Sequence, residues 1–158
     1  MKDDTRLAQG DPSPDFELED HNGNKIKLSE LRGKTVLLSF HPLAWTNICA
    51  KQMESLEDNK EELDELNAVA MGISVDSVPS KKAWAEELVI EDTPLLCDFW
   101  PHGKMIKDYR IFREDDGFSE RANIIVDPEG NIAFIKVYPI KELPDMKEIL
   151  EEIEKIER

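Results

Sequence analysis

The sequence has little cysteine, only two residues in 158. Two are too few for a disulfide scaffold, and a chain of this length can build a hydrophobic core without one. Cys49 and Cys97 stand far apart, so they form neither a CxxC redox motif nor a zinc-ligand pair. The histidines His21, His41 and His102 fall in separate segments, and no group has metal-ligand spacing. Positive charge is also short: 20 Lys and Arg against 35 Asp and Glu leave a net charge of −15. An acidic surface repels phosphate backbones and anionic lipid, which argues against nucleic acid and membranes as partners. No apolar run is long enough to span a bilayer, and residues 1–10 lack the apolar centre of a secretory signal. A cytoplasmic protein is the simplest expectation. The glycine-rich motifs that cradle dinucleotides and nucleoside triphosphates are absent, as are internal repeats and low-complexity linkers. Residues 1–158 are therefore expected to form a single domain.

What is present alternates strand and helix. Residues 1–13 read as a frayed start. Segments 15–18 and 25–28 read as short strands around Asn22-Gly23, a strong hairpin signal. Ser29 is placed to cap a short turn that ends at Gly33. Residues 35–40 are apolar without alternation, which suits a strand buried on both faces. From Thr46 the period becomes helical, with Met53, Leu56, Leu63 and Leu66 on one face, and one helix is expected to run to about Asn67. A second central strand covers 68–75. Ser80 is the expected cap of a helix carrying Ala83, Trp84 and Leu88. A short strand at 94–97 and a helix over 101–109, with Pro101 in its first turn, follow. Strands 121–126 and 132–138 flank a turn and predict an antiparallel hairpin. A closing helix carries Met146, Ile149, Leu150, Ile153 and Ile156 as one stripe. A parallel α/β layer that ends in a hairpin and a helix is the thioredoxin pattern. The expected architecture is an α/β, thioredoxin-like three-layer sandwich with a central mixed sheet and an N-terminal hairpin extension.

The informative segment runs from Pro42 to Cys49, between a buried strand and a long helix. Ligands bind at the carboxyl ends of strands in open α/β sheets, and the next helix offers unpaired N–H groups there. Cys49 falls in that first turn, where a thiol is readily ionised and nucleophilic. Thr46, three residues earlier, shares its face and can donate to the thiolate or to a substrate oxygen. Pro42 brings no N–H and can wall the site without competing for hydrogen bonds. Lowering a thiol's pKa from about 8.5 to about 6 raises its thiolate fraction at pH 7 only about 30-fold. Rapid chemistry at a leaving oxygen therefore also requires a fixed cation. Arg121, at the head of a strand that can join the same sheet, offers one with several donors. Read alone, Cys49 is also a candidate core cysteine, Thr46 a simple helix cap and Arg121 a surface charge.

Pro42-x-x-x-Thr46-x-x-Cys49 resembles the PxxxTxxC signature of the peroxiredoxins. The resemblance extends over most of the chain: Gly10-Asp-x-x-Pro14-x-Phe16, the strand at 35–40, Pro94-Leu-Leu-x-Asp98 and Arg121-Ala-x-x-Ile125-Val-Asp127-x-x-Gly130 follow in the family's order. It implies a thiol-dependent peroxidase that reduces hydrogen peroxide and alkyl hydroperoxides. Cys49 would be the peroxidatic cysteine that becomes a sulfenic acid, Thr46 and Arg121 would activate the peroxide, and Pro42 would shield the sulfur. No cofactor and no metal are implied. Many relatives carry Glu three residues after the cysteine; Gln52 stands here and brings no charge to fix Arg121. Phe99-Trp100-Pro101-His102-Gly103 resembles the one-cysteine-like alkyl hydroperoxide reductase E type.

Several assignments stay open at this level. Cys97 is either an inert strand cysteine or a resolving cysteine that condenses with the Cys49 sulfenic acid. If inert, an outside thiol, such as a thioredoxin- or glutaredoxin-like protein, must complete the cycle. Trp45 either packs or lines the peroxide's approach, and His41 either touches the pocket or ends a strand. A homodimer is expected by family analogy. The rival functions are a thiol–disulfide oxidoreductase, disfavoured by the missing CxxC, and a peroxide-sensing interaction module on the same fold.

Overall fold

The apolar runs become the middle of a mixed sheet. The structure, a computed structural model, describes residues 6–157. Strand β3 (Thr35–Phe40) is buried at every position, as a strand covered on both faces must be. It pairs in parallel with β4 (Ala68–Ser74), which pairs in parallel with β5 (Leu95–Cys97). On its other side β3 meets β8 (Arg121–Val126) antiparallel, and β8 continues into β9 (Ile132–Tyr138) through the expected hairpin. The first hairpin, β1 (Glu17–Asp20) and β2 (Lys25–Lys27), extends the sheet beyond β5, giving the order β2-β1-β5-β4-β3-β8-β9. Its turn forms at Asn22-Gly23, with Gly23 at φ 84 and Asp20 Oδ1 accepting from the N–H groups of Asn22 and Asn24. β6 (Phe112–Arg113) and β7 (Phe118–Ser119) make a small separate hairpin that was not among the expected elements, although Asp116-Gly117, with Gly117 at φ 78, is a turn signal between them.

Alternation along each strand separates two cores. Val36, Leu38 and Phe40 point with Met71, Ile73, Ala122 and Ile124 towards α4 (Lys104–Asp108) and Tyr109. Leu37, Ala70, Leu95 and Ile125 point towards α1 (Asn47–Asp58), α2 (Lys60–Glu65), α3 (Val78–Leu88) and α5 (Met146–Glu157). The predicted stripe of α5 supplies buried Met146, Ile149 and Ile153. No described helix is long and apolar enough to cross a membrane.

Five local expectations are corrected. Residues 1–5 lie outside the described part, but 6–13 are docked rather than frayed: Leu7 is buried and the N–H groups of Gly10 and Ser13 bond to the carbonyls of Ile132 and Gly130. Ser29 lies inside a 3-10 turn (Leu28–Leu31) and caps nothing; its N–H goes to Asp15 Oδ1 at 2.9 Å. The helix after Thr46 breaks at Asn59, where φ is −103° and the side chain takes the Ser55 carbonyl at 2.7 Å. That is the local competition between polar side chain and helix backbone which Asn favours. Ser77, not Ser80, caps α3, accepting from the Ser80 N–H. Pro101 precedes α4, which starts after Gly103 at φ 83.

Candidate active site

Three elements bring the site together. β3 ends at Phe40 and delivers the loop 41–46; Thr46 occupies the N-cap of α1, which places Cys49 in the first turn with the sulfur facing the sheet. Ser39, Arg121 and Asn123 share the helix-facing side of the sheet because β3 and β8 pair with Ser39 opposite Asn123. Arg121 thus points at Cys49 across the sheet–helix boundary. Its Nη1 lies 3.4 Å from Cys49 Sγ and 2.7 Å from Gln52 Oε1. Its Nε donates to the Ile140 carbonyl at 2.8 Å. Gln52 Nε2 in turn donates to Ser39 Oγ at 2.7 Å and to the Phe40 carbonyl at 3.1 Å. Cys49, Gln52 and Arg121 are all buried, so these polar groups act where water does not screen them.

Of the residues singled out from sequence, Cys49, Gln52 and Arg121 form one hydrogen-bonded cluster. Gln52 does fix the arginine, through a neutral amide oxygen where a carboxylate was the familiar choice. Pro42 is buried in the loop. Thr46 caps by position only: its exposed hydroxyl donates to the Leu43 carbonyl at 2.9 Å, and no hydrogen bond closes back on the helix. With its proton committed, that oxygen can accept from an incoming O–H rather than donate to it. Trp45 is 54% exposed and donates its indole N–H to Ser80 Oγ at 3.2 Å. His41 is fully buried behind the loop, against Lys81 Nζ at 2.9 Å.

Cys97 sits apart, on β5, which lies two strands from β3, about 10 Å across the sheet. Burial pushes its thiol up to about 12, although Lys81 pulls the other way. Both cysteines are free. Among the described residues no group of His, Cys, Asp or Glu is arranged to hold a metal ion.

Sequence reasoning passed over three contributors. The Ile140 carbonyl leaves no trace in side-chain pattern. Ser39 is a polar residue inside an apolar strand, which is a signal. Lys81 shares a helical face with Trp84, Ala85 and Leu88, which is another.

A buried thiol at a helix start, held by an arginine from the neighbouring strand, is a reactive-cysteine geometry. The AhpC/TSA family matches over residues 9–135. Alkyl hydroperoxide reductase E of Mycobacterium tuberculosis is 38% identical over 142 residues, covering 89% of this chain and 92% of that protein. Peroxiredoxin-2 of Bos taurus is 31% identical, covering 85% of this chain and 70% of its own. Enterococcus faecalis AhpC superposes with a TM-score of 0.85 at 25% identity, covering 93% of this chain and 90% of its own. Peroxidoxin BcpB of Mycobacterium tuberculosis gives 0.84 at 26% identity, covering 96% and 99%. Sequence, fold and the arginine-held thiol agree, and the chain belongs to the AhpC/TSA family as a peroxiredoxin, a thiol-dependent peroxidase of thioredoxin-like fold.

Proposed function

We propose that Cys49 is the peroxidatic cysteine and that Arg121, Thr46 and Pro42 form the pocket around it. The observation that carries this is the Arg121 Nη1 contact to Cys49 Sγ at 3.4 Å. The thiolate attacks the terminal oxygen of a hydroperoxide; the S–O bond forms as the O–O bond breaks. Sulfur gives up two electrons and becomes a sulfenic acid, and the departing oxygen takes them and a proton to leave as water or alcohol. Arg121 faces the charge that appears on the oxygens, and the Cys49 N–H belongs to the unpaired first turn of α1. Thr46 accepts from the hydroperoxide O–H and so aligns it, while buried Pro42 excludes competing donors. Cys49 has no exposed surface, so the loop 41–46 must part to admit substrate, with Trp45 at its outer face.

The substrates of this reading are hydrogen peroxide and alkyl hydroperoxides; the name of the mycobacterial relative supports the second. The reductant is an outside thiol, such as a thioredoxin- or glutaredoxin-like protein. The raised thiol of Cys97 and its place on β5 favour that over an internal disulfide. One continuous seven-stranded sheet supports a single domain, and two unpaired thiols support a cytoplasmic setting. A homodimer is supported by exposed Trp45, Phe99 and Trp100. Phe99 and Trp100 line a groove with Val78 and Pro79, beside Ser80, which holds the Trp45 indole. Sedimentation of wild type and Trp100→Glu tests this; a wild-type monomer overturns it.

The deciding experiment is intact mass before and after one equivalent of hydrogen peroxide, with dimedone present. A dimedone adduct on Cys49 is expected. Unchanged mass in freshly reduced protein would remove Cys49 from the reaction.

A further inference from the structure

Lys81 poses a problem of charge. Its residue is wholly buried in α3. A buried ammonium is costly unless counter-charge lies close. Among the described residues no carboxylate lies within ion-pair distance of it. Its Nζ instead meets His41 Nε2 at 2.9 Å and stands 5.6 Å from the centroid of the Trp84 ring. His41 is just as buried, its ring 5.5 Å from that of Trp84, and its Nδ1 has no hydrogen-bond partner. It is the residue before Pro42, pinned by its N–H to the Ile73 carbonyl at 3.0 Å. The Lys81–His41 bond therefore ties α3 to the root of the active-site loop.

We propose that Lys81, held through His41, is a positioning residue for peroxide reduction: it is a second buried cation behind the loop, tied to the root of that loop, and its charge adds to that of Arg121 in favouring the Cys49 thiolate. This rests on Cys49 being the nucleophile. The charged and titratable groups around the pair are Asp76 after β4, Cys49 of α1, Cys97 of β5, Arg121 of β8 and His21 in the first hairpin. Cys97 stays a neutral thiol. Arg121 only adds positive charge, and burial keeps His21 towards its neutral form. Asp76 is a fixed negative charge beyond ion-pair distance, held in place by the Ala44 N–H at 2.8 Å and the Ser74 hydroxyl at 2.6 Å, which donate to Oδ2. Asp76 complements Lys81 at rest, and the Cys49 thiolate and the negative charge that grows on the leaving oxygen add to it during the reaction.

Burial lowers Lys81 to about 8, against the pull of Cys97, Asp76 and Cys49. Burial and the neighbouring Lys81 hold His41 well below 6.5, so the ring is neutral and accepts through Nε2. The cation is thus present at neutral pH and lost in mild alkali.

The test is the single-turnover rate of the reduced protein with hydrogen peroxide, followed by tryptophan fluorescence from about pH 6.5 to about pH 9.5. Wild type should slow about 10-fold as pH rises through about 8, a factor that coupling between neighbouring buried charges readily reaches. Lys81→Met should be slower by a similar factor at pH 7 and lose the falling limb. A wild-type rate that is flat or rising across this range overturns the proposal and requires no variant to fold. A falling limb retained in folded Lys81→Met overturns it as well. Failure of Cys49 as nucleophile is seen separately, as a missing dimedone adduct.

Discussion

Gln52 offers Arg121 an oxygen without a charge: Oε1 accepts from Nη1 at 2.7 Å. The other end of the same amide donates to Ser39 Oγ and to the Phe40 carbonyl. A carboxylate would serve the arginine equally, but its second oxygen would confront the Phe40 carbonyl, which has no proton to share. The amide satisfies both sides of a buried junction and leaves the full guanidinium charge for the sulfur and the peroxide.

Gln52→Met keeps the volume and removes both hydrogen-bonding ends. Arg121 then keeps only the Ile140 carbonyl as an anchor. A hydrogen bond to a charged group is worth about 1.5–3 kcal/mol, so the rate with hydrogen peroxide should fall about 10- to 100-fold. Stopped-flow single turnover checks this. An unchanged rate would mean that Ile140 alone suffices to aim the guanidinium.

Cys97→Ser should retain peroxidase turnover with an outside thiol, because a thiol pushed up to about 12 supplies almost no thiolate at neutral pH. Cys49→Ser should abolish turnover. Steady-state peroxide consumption of the two variants separates the roles. A Cys97→Ser protein that forms sulfenic acid but stops after one turnover would make Cys97 the resolving residue.

Much of this was legible because the determinants are local. Buried strands announced themselves as unbroken apolar runs, and Pro42, Thr46, Cys49 and Arg121 stood in a recognisable order. What escaped reading depends on tertiary contact. Asn59 breaks a helix whose stripe runs on through it, by capturing a carbonyl its own turn supplies. Thr46 holds a cap position yet turns its hydroxyl outward to Leu43. Lys81 shares its helical face with Trp84, Ala85 and Leu88, which hints at burial, but its bond to His41 is seen only in the fold.

Glu57 organises the turn before β5. Its carboxylate accepts from the N–H groups of Glu91, Asp92 and Thr93 and from the Thr93 hydroxyl at 2.8 Å. Burial pushes its pKa up, but these hydrogen bonds outweigh burial and leave it below 4.5. The stabilisation is present above 4.5 and disappears as pH falls through the lowered folded value. Glu57→Ala should cost about 1–2 kcal/mol at pH 7, as loss of a helix cap does. Urea denaturation at pH 7 and in strong acid checks it; the difference between variant and wild type should shrink in acid.

Asp98 carries the opposite sign. It is fully buried, and its carboxylate accepts from the N–H groups of Ile106 at 2.8 Å and Met105 at 3.3 Å, at the start of α4. Here burial outweighs those bonds and raises the pKa from 3.8 to about 6. A folded pKa above the unfolded one means that the folded state holds its proton longer. The resulting stabilisation is complete below 3.8 and is lost as pH rises through about 6, an effect of about 3 kcal/mol for a rise of this size. Asp98→Asn is uncharged at every pH: its oxygen keeps the shorter bond to Ile106, while its NH2 faces the Met105 N–H and gives up the longer one. Chemical denaturation between about pH 4 and about pH 7 should therefore show that the substitution flattens the pH dependence and that its stabilising effect grows with pH. A variant that parallels wild type across this window would place the charge of Asp98 in contact with water, and the cost of burying it would vanish with it.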